Sequence, residues 1–277
     1  MANILFTMID INVGGTENVL LRFIDELNKR NHRITLLLAN NEGGWINRIP
    51  TYVDVRFIQL TDKQKKNVCN LGIRQNIVAE FKHGRIVSAI KILIKKMLGD
   101  NLATLKFDFS ELPCIDDYYD IAIAFQYHNT FTSRYVAEKI NAGKKYIWVH
   151  NDLLTTKYNY KYTYSYIGNF DKIFCVSKSL KDEIDACYGN AIDVLNKVDV
   201  FYNSIDYEKI IRLANEPQTE ISKDTMSILS VGRLNAQKGF DLAVKVAQKL
   251  KENNEKFCWY IIGEGEDQKK LGKLINK

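Results

Sequence analysis

The sequence has few of the features that mark disulfide-bonded, secreted or membrane-spanning proteins. Its five cysteines are an odd number without a close pair, which argues against a disulfide framework and a zinc knuckle. No apolar run approaches the ~20 residues that a membrane span needs. The first residues lack the basic start and the small-residue cleavage site of a signal peptide. We therefore expect a soluble or peripheral protein in a reducing, cytoplasmic environment.

Two common nucleotide-binding signatures are also missing. The sequence contains no GxxxxGK[ST] loop, and its glycine spacing does not match the dinucleotide fingerprint. These absences disfavour P-loop and nicotinamide chemistry.

The length and charge favour a globular protein over one that coats nucleic acid. The 277 residues are enough for roughly two domains. Lys and Arg number 39 against 33 Asp and Glu, a formal net charge of +6. Nine basic and three acidic residues fall between Thr61 and Asp100, so the excess is local and the rest of the chain is balanced. We expect no nucleic-acid partner.

Short apolar runs of strand length recur along most of the chain and alternate with helical patterns. The predicted strands are 3–9, 33–39, 53–58, 120–125, 145–150, 172–177 and 198–202, with helices that include 134–140 and 178–188. Continuous apolar runs are typical of buried parallel strands, so they predict a doubly wound, Rossmann-like parallel sheet. A second strand–helix–strand–helix series (226–232, 238–251, 257–263, 266–277) predicts a second, incomplete α/β domain.

Several residues lie where ligands bind in such sheets, beyond the carboxyl ends of strands. Gly14 and Gly15 precede a helix whose N-terminus suits a phosphate, although a tight turn explains them equally well. His150 ends a strand and can exchange protons or hydrogen-bond a ligand hydroxyl, although most strand-end histidines are structural; His128 has a weaker claim. Arg233 and Lys238 flank a strand-to-helix loop and suit a diphosphate, or are ordinary surface charges. Gly263 has the same ambiguity, with turn formation the simpler reading.

The spacing of the last motifs resembles the donor-binding half of the family-four retaining glycosyltransferases of the GT-B fold. The matching segments are Ser-Val-Gly-Arg-Leu at 230–234, Gly-Phe-Asp-Leu at 239–242 and Ile-Ile-Gly-Glu-Gly-Glu at 261–266. Further matches are Gly-Gly-Thr-Glu at 14–17, Trp-Val-His-Asn-Asp at 148–152, Cys-Val-Ser-Lys at 175–178 and Tyr-Asn-Ser-Ile-Asp at 202–206. The resemblance implies an acceptor-side domain at 1–204 and a nucleotide-sugar-binding domain at 205–277.

The resemblance also implies roles for the candidate residues. Arg233 and Lys238 hold the diphosphate of a UDP-sugar or another nucleotide-diphosphate sugar and act as catalytic cations; Gly14, Gly15 and Gly263 line the donor; and His150 orients the sugar. The transfer retains configuration, goes to a polysaccharide or lipid-linked acceptor of the cell envelope, and requires no metal. The sequence offers no DxD-type motif for one.

Two departures from the family pattern bear on activity. The chain ends at Lys277, before the family's glutamate pair that binds the donor, which predicts weak or no transfer by these residues alone. Ser204 stands where the family commonly has glycine, a smaller difference in a turn.

Two segments remain open to more than one interpretation. Residues 84–98 predict an amphipathic helix that either packs on the first domain or lies on an anionic membrane at the inner face of the cell membrane. Five tyrosines alternate between Tyr158 and Tyr166, which fits a strand by period but a helix by resemblance.

Two rival functions remain at this point. One is a nucleotide-sugar epimerase of the same architecture, which acts on a UDP-sugar without an acceptor. The other is a non-catalytic chain that binds an acceptor or a membrane.

Overall fold

The computed structural model describes residues 1–41, 43–68, 86, 109–126, 130–153, 163–189, 191–217 and 225–275. The backbone separates into two compact units, Met1–Ile205 and Asp206–Lys277. Strands alternate with helices in both units, and the paired strands are parallel. Parallel neighbours require crossover connections, so each unit is built from βαβ elements.

The first unit contains one large sheet with helices between its strands. Its elements are β1 (Asn3–Met8), α1 (Gly15–Lys29), β2 (Arg33–Leu38), β3 (Asp54–Phe57), α2 (Asp62–Val68), β4 (Ile115–Ala124), α3 (Thr130–Lys139), β5 (Ile140–Val149), β6 (Lys172–Cys175), α4 (Lys178–Tyr188), α5 (Ile192–Leu195) and β7 (Val198–Val200). Among the described residues the sheet has seven strands in the order β3-β2-β1-β4-β5-β6-β7, all parallel.

The core of the first unit lies on both faces of this sheet. Successive side chains of a strand point to opposite faces. Leu5 and Leu37 therefore belong to one buried cluster, whereas their neighbours Phe6 and Leu36 belong to the other. Because both faces are covered, nearly every position of the central strands is apolar, and this explains the continuous runs in the sequence.

The second unit is smaller. It contains α6 (Tyr207–Ala214), β8 (Met226–Val231), α7 (Phe240–Glu252), β9 (Phe257–Ile262) and α8 (Gln268–Ile275). β8 and β9 pair in parallel along their whole length, from Met226 opposite Phe257 to Val231 opposite Ile262. Its buried cluster consists of Leu234, Phe240 and Leu271.

Some predicted element boundaries are wrong. β4 and β5 begin at Ile115 and Ile140, about five residues before the predicted strands, and Ile140 is therefore not the end of the preceding helix. The extra residues pair with each other, as Tyr119 does with Ala142. Many of them are exposed, so no apolar run marks them. α6 was not predicted, although Tyr207, Ile210, Ile211 and Ala214 recur at helical spacing; all of its residues are exposed in the structure.

Two predictions lie largely outside the described residues. Of the helix predicted over 84–98, the structure describes only Ile86, and of the tyrosines it describes Tyr164 and Tyr166. These two tyrosines occupy turns before a short 3-10 helix, not a strand. Tyr166 is buried, with its hydroxyl 2.9 Å from the Ser133 hydroxyl. In the part of the chain that the structure describes, no helix is both long and apolar enough to cross a bilayer.

Candidate functional site

The candidate site of the first unit lies at one edge of its sheet. All strands are parallel, so their carboxyl ends share that edge. The chain continues from β1 to β2 on one side of β1, and later places β4 on the other side, so the strand order reverses between β1 and β4. Doubly wound folds bind ligands at this reversal, beyond the carboxyl ends of the strands. The loops after β1, β4 and β5 therefore form the candidate ligand-binding edge of the sheet.

The two glycines after β1 have different surroundings. Gly14 caps α1 in an extended conformation without a side-chain hydrogen bond, and a Cβ at this position would collide with the buried carboxylate of Glu17. A Cβ at Gly15 would meet nothing within 4 Å. A side chain at Gly14 would therefore require the Glu17 carboxylate to move. Gly15 leaves open space beside the N-terminus of a 15-residue helix, where the helix dipole favours an anion.

Gln126 joins two loops at the reversal point, and sequence reasoning did not single it out. Its Oε1 accepts a hydrogen bond from the Ile9 backbone N–H at 2.9 Å, and its carbonyl accepts one from the Thr132 hydroxyl at 2.7 Å. Gln126 and Thr132 are both buried. Gln126 therefore holds the start of the β1 loop against the loop that enters α3.

Asp10 is the acidic residue nearest to the end of β1. It is half-buried, and burial raises the pKa of its carboxyl group, an effect opposed by a hydrogen bond with Asn12. The signal in the sequence was the interruption of an apolar strand by a carboxylate at its carboxyl end. Such a group has little water around it and is suited to accept a hydrogen bond from a ligand hydroxyl.

His150 lies at the same edge, directly after β5. Its ring packs against Phe125, with a centroid distance of 4.6 Å, and lies nearly parallel to Trp148 at 6.4 Å. The residue is half-buried, and its Nε2 atom is buried. The aromatic neighbours fix the orientation of the imidazole at the rim of the β4 and β5 loops. His128 lies outside the described residues.

Arg233 and Lys238 lie in one loop of the second unit. The loop leaves β8, passes through a 3-10 turn (Ala236–Lys238) and enters α7 at Gly239. Both side chains are exposed, and neither forms an ion pair with any residue that the structure describes. Two uncompensated cations beside a helix N-terminus form a concentrated positive region, and such a region attracts a multiply charged anion.

Asn235, between these cations, has an unsatisfied oxygen. Its Oδ1 is buried and has no hydrogen-bond partner among the described residues, although its backbone carbonyl accepts from the Lys238 N–H at 3.1 Å. A buried acceptor without a donor is destabilising, so it indicates a group that is satisfied by a ligand or water.

Gly263 is required by the packing of two loops. Its φ is +154°, and a Cβ would overlap the Gly232 carbonyl oxygen. The backbones are this close because Gly232 N–H donates to the Ile262 carbonyl at 3.0 Å, and Leu234 N–H to the Glu264 carbonyl at 2.8 Å. Gly263 thus fixes the loop that carries Arg233 against the loop after β9.

The structure therefore groups the candidate residues by unit. Gly14, Gly15 and His150 share the carboxyl edge of the first sheet, and Arg233, Lys238 and Gly263 belong to adjoining loops of the second unit. Among the residues described, no group of three or more His, Cys, Asp or Glu side chains is arranged to hold a metal ion.

Comparison with known proteins agrees with this architecture. Residues 212–277 match the family model described as glycosyl transferases group 1. An uncharacterized glycosyltransferase of Methanocaldococcus jannaschii is 29% identical over 158 residues, which are 50% of this chain and 36% of that protein. The chain thus spans about a third of the curated relative that it matches.

Solved glycosyltransferase structures share the fold. HepE of Anabaena, in complex with UDP and glucose, has a TM-score of 0.57 at 12% identity, and the match covers all of this chain and 66% of that one. A variant of TarM from S. aureus, in complex with fondaparinux, alpha-GlcNAc-glycerol and UDP, has a TM-score of 0.52 at 11% identity, over all of this chain and 75% of that one.

These likenesses confirm the predicted α/β fold class, that of the GT-B glycosyltransferases. The family match supports a glycosyltransferase and does not favour the epimerase interpretation.

Proposed function

We propose that this chain acts in a nucleotide-sugar-dependent glycosyltransferase of family four. The reaction moves a sugar from UDP or another nucleoside diphosphate to a saccharide or lipid-linked acceptor, with retention of configuration. Residues 1–204 form the acceptor side and residues 205–277 bind the donor. The observation that carries the proposal is the loop with Arg233 and Lys238, two exposed cations that form no ion pair with the described residues. Both lie within the segment that matches the glycosyltransferase family.

The two cations act on the leaving group. As the glycosidic bond of the donor breaks, negative charge grows on the diphosphate and positive charge on the sugar. Fixed positive groups that contact the diphosphate stabilise this charge more in the transition state than in the bound substrate, and this difference lowers the barrier. Arg233 makes paired hydrogen bonds to phosphate oxygens, whereas Lys238 acts as a point charge next to the N-terminus of α7. We propose that these charges serve in place of a metal ion.

The first unit contributes the residues that meet the sugar. Gly15 leaves room for the transferred sugar or its phosphate to approach the N-terminus of α1. His150, fixed by Phe125 and Trp148, contacts a sugar hydroxyl. Asp10, at the same edge, accepts a hydrogen bond from the acceptor. Gln126 positions the β1 loop for these contacts without touching the ligand.

Calorimetric titration of the chain with UDP, GDP and ADP tests the donor site. We expect one of these nucleotides to bind without added metal and in the presence of a chelator. Arg233→Ala and Lys238→Ala should each weaken the affinity about 10- to 100-fold, because each removes a charge-assisted hydrogen bond worth about 1.5–3 kcal/mol. Lys249→Ala, which removes an exposed cation from α7, is the matched control and should change little. Binding that ignores both substitutions would contradict the proposal.

Incubation of the chain with a panel of nucleotide sugars and acceptors tests the chemistry. NMR of the product reports the anomeric configuration, and an inverted product would contradict the assignment to a retaining family. We expect these residues alone to transfer sugar weakly or not at all, and appreciable turnover would contradict that expectation. His150→Ala should leave nucleotide affinity nearly unchanged and reduce any turnover that is detected, because the imidazole contacts the sugar and not the diphosphate.

The basic segment 61–100 is proposed as a second contact, with the anionic inner face of the cell membrane. Nearly all of it lies outside the described residues, so the support is its charge alone. Co-sedimentation with liposomes should increase with the fraction of anionic lipid and decrease with salt. Equal binding to neutral and anionic vesicles would contradict a membrane role.

A further inference from the structure

Four aromatic rings from separate parts of the first unit surround the indole ring of Trp148, a side chain that is 3% exposed. They are, with the distances between ring centroids, Phe201 after β7 (4.8 Å), Phe23 of α1 (5.1 Å), Phe174 of β6 (5.2 Å) and Phe125 after β4 (5.3 Å). The indole Nε1 is buried and has no hydrogen-bond partner among the described residues. In the described part of the chain, the position of the indole therefore depends on ring packing and not on a hydrogen bond.

Phe201 differs from the other three rings because it lies at the end of the first unit. It is 42% exposed and makes the shortest of the four contacts. Its backbone N–H donates to the Cys175 carbonyl at 2.7 Å, and Arg22 Nη1 donates to the Ser204 carbonyl at 2.6 Å. The second unit begins at Asp206. The segment from Phe201 to Ser204 is thus attached to β6 and α1 just before the chain enters the second unit.

Trp148 connects Phe201 with His150. Residues two apart in an extended chain point to the same face of a sheet. The indole and the imidazole are nearly parallel, with an angle of 13° between the rings and centroids 6.4 Å apart. Phe125 contacts both rings, at 5.3 Å from Trp148 and 4.6 Å from His150. A displacement of the indole therefore changes the packing of the imidazole both directly and through Phe125.

The orientation of the imidazole decides what His150 offers to a ligand. The two ring nitrogens are chemically distinct, because one donates and the other accepts in the neutral ring. Nε2 is buried, although the residue as a whole is half-buried. Rotation of the ring would change which of its atoms faces the carboxyl edge of the sheet.

We propose that Phe201 is a positioning residue, which holds Trp148 in place and through it sets the orientation of the His150 imidazole. It acts without contacting a ligand. The packed rings form a contiguous path from the end of the first unit to the candidate site, and such a path can carry energetic coupling. A movement of the segment that leads into the second unit therefore changes the presentation of His150. The consequence for sugar transfer rests on the proposed function, whereas the packing relation does not.

NMR of the imidazole protons in the whole chain tests this relation. The chain has four histidines, and comparison with His150→Gln identifies the signals of His150. Ring currents from Trp148 and Phe125 displace these signals from those of a free histidine. Phe201→Ala should move them toward the free position, because the indole then has room to tilt. Phe201→Leu, which restores apolar volume without a ring, should move them in the same direction by a smaller amount.

Two control variants separate positioning from a general loss of structure. Phe201→Tyr keeps the ring and should leave the His150 signals unchanged. Phe57 is 41% exposed, close to the 42% of Phe201, but it lies on β3, and three strands of the sheet separate β3 from β5. Phe57→Ala should therefore leave the His150 signals unchanged as well. The proposal is overturned if neither Phe201→Ala nor Phe201→Leu moves these signals, or if Phe57→Ala moves them as far.

Fluorescence tests the first contact of the path. In a chain that keeps only Trp148 of the three tryptophans, Phe201→Ala should shift the emission to longer wavelength and increase quenching by acrylamide. The reason is that water then reaches an indole that is 3% exposed in the native chain. Unchanged emission and quenching would show that Phe201 does not shield the indole, which would overturn the proposal.

The positioning role and the proposed function can fail separately. Phe201→Ala should leave nucleotide affinity unchanged, because Arg233 and Lys238 belong to the second unit. Any turnover that is detected should fall in Phe201→Ala, and the double variant with His150→Ala should be no slower than His150→Ala alone, because both substitutions act through one imidazole. Displaced His150 signals in a chain that binds no nucleotide would refute the transferase and uphold the positioning role. Unmoved signals in a chain that binds nucleotide would do the reverse.

Discussion

The two units share the same alternation of strands and helices, but their apolar side chains are buried to very different extents. In the first unit, apolar clusters cover both faces of the sheet, and Leu5, Phe6 and Leu36 are fully buried. In the second unit, Leu229 and Val231 of β8 remain 54% and 69% exposed, and the buried cluster contains three residues. Hydrophobic stabilisation follows the apolar area that is buried, so the same local pattern yields a stable scaffold in one unit and a weakly stabilised one in the other.

The geometry of the second unit depends instead on backbone contact. The loops after β8 and β9 are joined by hydrogen bonds from Gly232 and Leu234 and approach too closely for a Cβ at Gly263 or Gly265. The first unit orients its candidate residues by packing, as His150 against Phe125 shows. Site geometry should therefore respond to core substitutions in the first unit and to glycine substitutions in the second.

The largest expected difference between the two units is in the unfolding free energy that is lost when a strand side chain is truncated to alanine. Phe6→Ala removes a fully buried ring that packs against Phe23 and Phe125, and should cost about 3–5 kcal/mol of unfolding free energy. Leu229→Ala, on β8, should cost less than about 1 kcal/mol because half of that side chain is already in water.

Urea unfolding followed by fluorescence measures both effects. Variants that keep only Trp148 report on the first unit, and variants that keep only Trp259 report on the second. Equal losses for Phe6→Ala and Leu229→Ala would contradict the contrast in burial.

Two glycine-to-alanine changes in the second unit should have opposite signs. Gly263→Ala places a Cβ on the Gly232 carbonyl at a φ of +154°, and should destabilise this unit by about 2–4 kcal/mol. Gly272→Ala, inside α8 with nothing near its Cβ, should stabilise it by about 0.5–1 kcal/mol. Thermal unfolding monitored at Trp259 gives both values. A tolerated Gly263→Ala would mean that the loops need not approach closely.

Substitution of helix-capping residues should have smaller effects on stability, and these effects should also differ between the two units. The Ser177 hydroxyl accepts from the Leu180 N–H at 3.1 Å and caps α4, which buries Ile184; Ser177→Ala should cost about 1 kcal/mol. The Asp206 carboxylate accepts from the Lys209 N–H at 3.0 Å in the same way. It caps α6, which buries no residue, so Asp206→Ala should shorten that helix with little change in global stability. Circular dichroism and urea unfolding of both variants provide the measurement.

The smallest effect concerns Asp10 and depends on pH. Its pKa is higher in the folded than in the unfolded chain because burial disfavours the carboxylate. Its contribution to stability therefore falls as the pH rises through the folded pKa. Asp10→Asn should stabilise the first unit at neutral pH, and the gain should vanish below the unfolded pKa of about 4. A gain that is independent of pH would contradict the role of charge.

The elements predicted from the sequence agree best with the structure where their side chains are buried. Every predicted strand of the first unit exists, and the helix predicted over 178–188 is confirmed as Lys178–Tyr188, because buried elements show apolar periodicity. The exposed starts of β4 and β5 were missed because their residues lack such a pattern. α6 was missed although Tyr207, Ile210 and Ile211 share one side of it. The site predictions followed strand ends and loops. They named Gly15 and Arg233, which stay predictions, but not Gln126, whose position depends on a contact more than a hundred residues away.

The sequence by itself determined the alternation of strands and helices, the parallel class of the sheet and the clustering of Arg233 with Lys238, since all three depend on neighbours within one element or loop. Only the tertiary structure decided that β4 lies beside β1, which loops meet at the carboxyl edge, and that Tyr119, Arg56 and Asp54 surround a cavity at the other edge. The physical reason is that strand order and cavity formation depend on packing between distant segments. Local periodicity records which side of an element is buried but not the segment that covers it.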